Sequence, residues 1–131
     1  MDDEPKDILM WVDAPKQLRK NDELTLKVLV KNARTKQAFT FNSVDLHDDF
    51  LDGFSFVKAS PEPDEKDHSE GFLTLEYDIT LAPGDSQLFK IDLKPKKAGV
   101  FVGDVDVWEA EEHEEDEDEC VARAAQIEIL R

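Results

Sequence analysis

Residues 109–119 read EAEEHEEDEDE: nine carboxylates, His113 and Ala110, with no base among them. Carboxylate oxygens are hard ligands, and calcium gathers about six to eight of them. Here Glu111, Glu112, Glu114, Glu115, Asp116, Glu117, Asp118 and Glu119 are almost contiguous. A calcium loop instead alternates its ligands around a glycine and closes on a bidentate glutamate. Successive side chains of an extended backbone point to opposite faces, so immediate neighbours do not converge on one ion. Three uses remain: a solvated connection held open by its own repulsion, a contact for a basic partner, and a calcium site. The spacing favours the first and predicts no bound cofactor.

A second cluster, DLHDDFLDG over 45–53, offers Asp45, His47, Asp49 and Asp52. Its spacing matches no standard ligand set, and Asp52-Gly53 reads as a turn. His47, His68 and His113 fall in three separate polar connections, with no pair at zinc-site spacing. Cys120 directly follows the acids. Surrounding negative charge favours its thiol over the thiolate, the reverse of an activated nucleophile. No nucleophile-elbow, phosphate-loop, dinucleotide or zinc-protease motif occurs. No catalytic constellation emerges, and the chain reads as a non-enzyme. Trp108 lies out of phase with Phe101, Val105 and Val107, which places it on an outer face beside the acids. An exposed indole there suits a partner contact; packing under the acidic stretch is the other reading.

The elements that must carry these residues have period two. ELTLKVLVKN sets Leu24, Leu26, Val28 and Val30 on one face. FLTLEYDITL does the same with Leu73, Leu75, Tyr77, Ile79 and Leu81, and LFKIDLK with Phe89, Ile91 and Leu93. VFVGDVDVW contributes Phe101, Val105 and Val107, with Gly103 at a bulge or a close approach. Ile127 and Ile129 continue the pattern near the C-terminus, where Arg123 interrupts the apolar face and predicts a register shift or an edge. APGDS at 82–86 predicts a type II turn. SPEPDEKDHSEG at 60–71 reads as a polar loop, and 45–52 allows one brief helical turn. Seven or eight strands with almost no helical period predict an all-β, antiparallel β-sandwich.

The bulk numbers agree. A chain of 131 residues is one domain's worth, with residues 1–6 expected to fray. Its net charge is −16; the nine acids of the stretch, taken from thirty-two, leave twenty-three against sixteen bases, a balance of −7. Such a field repels nucleic acid and anionic membrane and attracts basic proteins. One cysteine excludes an internal disulfide. No run is apolar enough to insert in a bilayer.

The order of VLVKN, DLHDDFLDGF, LAPGDS and KPKKAGVF over about residues 15–130 resembles the Ig-like domains of bacterial and archaeal surface proteins, the CARDB-like families. The resemblance implies an Ig-like sandwich acting as an interaction or spacer module, a monomeric domain within a larger protein. It implies an extracytoplasmic home, although MDDEPKDILMW has no signal-peptide character and leaves the cytoplasm open. It does not account for the acidic stretch, which replaces a short hairpin loop. Trp108 and the acids at 111–119 are therefore the expected contact surface. An acidic chaperone of basic proteins and a calcium-dependent module are the alternatives.

Overall fold

The structure, a computed structural model, describes residues 7–110 and 120–131. In chain order the strands are β1 (Ile8–Asp13), β2 (Gln17–Arg19), β3 (Leu24–Asn32), β4 (Phe39–His47), β5 (Phe54–Ser60), β6 (Glu65–Ser69), β7 (Phe72–Glu76), β8 (Thr80–Leu81), β9 (Ser86–Pro95), β10 (Gly99–Glu109) and β11 (Cys120–Leu130). One helical turn, α1 (Asp48–Leu51), follows β4. A four-stranded sheet, β1-β3-β9-β5, faces a larger one ordered β2-β11-β10-β4-β7-β6, with β8 also paired to β4. All pairings are antiparallel except the short β2–β11 contact. The expected all-β sandwich is thus the architecture.

The inward rows are those the alternation predicts. Leu24, Leu26, Val28 and Val30 of β3 meet Phe89, Ile91 and Leu93 of β9 in one sheet, and Val105, Val107, Ile127 and Ile129 line the other. Phe39, Phe41 and Phe89 form an edge-to-face stack at 5.0 and 5.1 Å between centroids, and Phe50, Phe54 and Phe101 fill the opposite end. Each such ring contributes roughly 1.5–3 kcal/mol through burial. Buried Asn32 closes one end of the core. Its amide nitrogen donates to the carbonyls of Gln37 and Leu81, and its Oδ1 accepts from the Arg34 amide.

Gly103 is a close approach. A Cβ there would stand 2.6 Å from the backbone nitrogen of Phe50, so its absence lets α1 lie against β10. The type II turn is present as well: Gly84 has φ +90°, and the Asp85 amide donates to the Ala82 carbonyl.

Some elements differ from expectation. Residues 60–71 hold a strand, β6, instead of only a loop. All five of its residues are exposed, so no apolar alternation betrays it. The run 72–81 breaks into β7 and β8, both on β4. Arg123 causes no register shift, since β10 and β11 pair without interruption from Gly99↔Ile129 to Trp108↔Cys120. It does lie at an edge, because β2 joins β11 only at Glu128–Leu130.

β4 carries a phase change. Ser43 pairs with Trp108 and Phe41 with Glu109, which leaves Asn42 as an extra, bulged residue. Before it Phe39 and Phe41 face inward; after it Val44 and Leu46 do. Ser43, Asp45 and His47 are thereby turned to the outside.

Candidate functional site

The two sheets present outer faces of opposite character. On the larger sheet, Asp45-x-His47 of β4 lies beside Asp104-x-Asp106 of β10. Period two puts each pair on one side of its strand. The register sets Asp45 directly across from Asp106. His47 Nε2 is 2.7 Å from Asp106 Oδ2, and its ring packs edge-on against Phe72 at 4.6 Å. Ligand atoms of His47, Asp104 and Asp106 all lie within 4.8 Å of one another. The Asp106 side chain is only 9 % exposed. Burial raises the Asp45 carboxyl above the usual carboxylate range, against hydrogen bonds from Ser43 and Thr74 that pull it down. Its Oδ1 is enclosed and has no hydrogen-bond partner among the described residues. Glu76 of β7 and Glu65 and Asp67 of β6 extend the acidic face.

On the smaller sheet, Trp11 of β1 pairs with Leu29 of β3, and Leu29 with Leu88 of β9. This apolar row runs across three strands with exposures of 50, 36 and 39 %. Leu9 adjoins it. Around the row stand five exposed lysines, Lys27, Lys31, Lys58, Lys90 and Lys94. Within these strands the outward rows carry two acids, Asp13 across from Lys27 and Asp92, which accepts from Thr25 Oγ1 at 2.7 Å. A chain of net charge −16 therefore keeps one face basic.

The residues singled out in the sequence are distributed as follows. Trp108 is half-buried on the outer row of β10, with Ser43 and Cys120 as its register neighbours. Cys120, itself half-buried, starts β11. Glu109 belongs to β10 and not to a loop: Arg34 grips it with two nitrogens at 2.9 and 3.0 Å. Glu111, Glu112, His113, Glu114, Glu115, Asp116, Glu117, Asp118 and Glu119 lie outside the described residues. Of the 45–53 cluster only Asp45 and His47 share a face. Asp49 sits in α1, and Asp52 pairs with Lys97 at 2.8 Å, which holds its carboxyl low. His47 and His68 are in strands, not loops, and His68 bonds Asp48 at 2.7 Å.

Asp104 and Asp106 were missed, as was the lysine face. The signals were D-x-H and D-x-D at strand period, and lysines alternating with apolar residues in LKVLVK and LFKIDLK. Each becomes legible only when strand neighbours are known.

No protein-family model matches the chain, and no curated protein sequence does. Among solved structures it is similar to the GH20 exo-β-N-acetylglucosaminidase of Vibrio harveyi. The likeness holds for an inactive mutant and for the complex with N-acetylglucosamine, each with TM-score 0.51 and 11 % identity. Alignment covers 95 % of this chain but 18 % of that one, so the chain spans under a fifth of the glycosidase's length. At that identity the likeness concerns the fold alone.

Proposed function

We propose that the protein is a non-catalytic interaction module, part of a larger protein, that docks an acidic partner on the outer face of β1-β3-β9-β5. The observation that carries this reading is the Trp11–Leu29–Leu88 row ringed by lysines. Exposed aromatic and aliphatic anchors with a charged rim are the anatomy of a contact surface. An apolar row without such a role would be a solubility burden. The lysines steer an acidic partner, and the apolar row holds it.

A second reading, capture of a basic protein by residues 109–119, is favoured by the β10–β11 register. That register places Trp108 at the root of the acidic stretch and on the acidic face. Fluorescence anisotropy with two labelled peptides separates the readings. One peptide alternates glutamate with leucine and phenylalanine; the other is lysine-rich. Binding of the acidic peptide, weakened by salt and by Trp11→Ala or Lys27→Glu, supports the first. Binding of the basic peptide alone, indifferent to Trp11→Ala, replaces it with the second. Silence from both leaves a spacer.

A further inference from the structure

The quartet on the larger sheet goes beyond a docking role. We propose that His47, Asp104 and Asp106 form a binding site for a divalent transition ion, zinc or manganese, with Asp45 as its neighbouring acceptor. The case starts from local geometry. Two antiparallel strands in register bring D-x-H and D-x-D into one square on one face. The bulge at Asn42 is what turns the β4 pair outward. The three donors lie within 4.8 Å of one another. A tetrahedral zinc ion spaces its ligand atoms about 3.4 Å apart, so small side-chain rotations bring the three donors into range.

Two further observations point to a cation and not to a mere ion pair. The Asp106 side chain is nine-tenths buried, and among the described residues the basic group bonded to it is a histidine. No lysine or arginine occurs in the outward rows of β6, β7, β4 and β10, where Glu65, Asp67, Glu76, Asp45, Asp104 and Asp106 gather. Directly across from Asp106, Asp45 adds a carboxyl whose Oδ1 has no hydrogen-bond partner among the described residues. One imidazole with two carboxylates also sets the class of ion. Nitrogen and oxygen donors together suit zinc or manganese, whereas calcium prefers oxygen alone. The His47 Nε2–Asp106 Oδ2 hydrogen bond gives way when the ion enters, its place taken by two metal bonds.

The test is isothermal titration of the chelator-stripped full chain with Zn²⁺, Mn²⁺ and Ca²⁺, repeated after the eight acids of 111–119 are neutralised to Gln and Asn. That second protein removes the acidic stretch as a competing site. Expected is one saturable Zn²⁺ or Mn²⁺ site per chain that survives the neutralisation, outcompetes Ca²⁺, and weakens at least tenfold in both His47→Ala and Asp104→Asn. Exposed Asp104 serves because Asp106→Asn risks the fold; circular dichroism confirms that each variant stays folded. Loss of all binding on neutralising the acids of 111–119 overturns the proposal, and so does Zn²⁺ affinity unchanged by His47→Ala and Asp104→Asn. Absence of saturable binding to the wild type overturns it equally.

Discussion

The outer faces of the two sheets are built on the same alternating backbone, yet one gathers lysines around an apolar row and the other gathers carboxylates around a histidine. On the smaller sheet the outward residues are long and exposed, and Trp11, Leu29 and Leu88 keep large surfaces in water. On the larger sheet the residues around His47 are mostly short, and Ser43 and Asp106 are buried. Long lysine stems hold their charges away from the backbone and from each other, so five tolerate proximity with only two acids between them. Aspartates have no such reach. Asp45 and Asp106, directly opposed across two strands, share a partly desolvated surface, and burial with mutual repulsion raises Asp45.

The largest expected effect strikes both faces at once. Asn32 ties the end of β3 to the Gln37 and Leu81 carbonyls. Asn32→Ala leaves two carbonyls unsatisfied, one of them in a buried bond, and should cost about 3 kcal/mol in denaturant unfolding. If the loss is negligible, the two faces are not held by a common interior.

Trp11→Ala should then separate the faces. Truncation of a central aromatic anchor costs about 2 kcal/mol of binding, roughly thirtyfold, to an acidic peptide. It should leave metal titration on the other face untouched. A change in both readouts would mean that the faces communicate.

The interior beneath them titrates in alkali. Tyr77 donates its hydroxyl to the Pro61 carbonyl at 2.7 Å, and burial, helped by Asp64, pushes its pKa up to about 12. The folded state therefore holds this proton more tightly than the unfolded chain, where tyrosine titrates near 10. Its stabilising contribution is full below pH 10 and is lost as pH rises through about 12. Denaturant midpoints between pH 9 and 12 should fall more steeply for the wild type than for Tyr77→Phe.

The smallest effect sharpens the acidic face. Asp45→Asn removes a charge from beside Asp106 on a partly buried surface. In chelator it should stabilise the fold by about 1 kcal/mol, visible as a raised melting temperature. With zinc present the gain should shrink, because the ion then balances the wild-type charge.

Residue by residue, the architecture and most of the interior were legible in the order of side chains along the chain. Alternation at Leu24–Val30, Phe89–Leu93 and Phe101–Val107 placed those side chains inward, because a strand has only two faces and the apolar one is driven from water. Pro83-Gly84 declared its turn, and Gly103 its close contact. β6 stayed hidden because an edge strand wet on both sides has no apolar period to read. The candidate sites were hidden for a related reason. DLHDDFLDG suggested ligands along the chain, whereas strand pairing kept Asp45 and His47, discarded Asp49 and Asp52, and supplied Asp104 and Asp106 from about sixty positions later. Trp11, Leu29 and Leu88 likewise meet only through the β1–β3–β9 register. Alternation fixes which side of its own strand a residue occupies. Which residue stands across from it depends on register, bulges and strand order, and those were decided by the tertiary structure through the packing of the shared core.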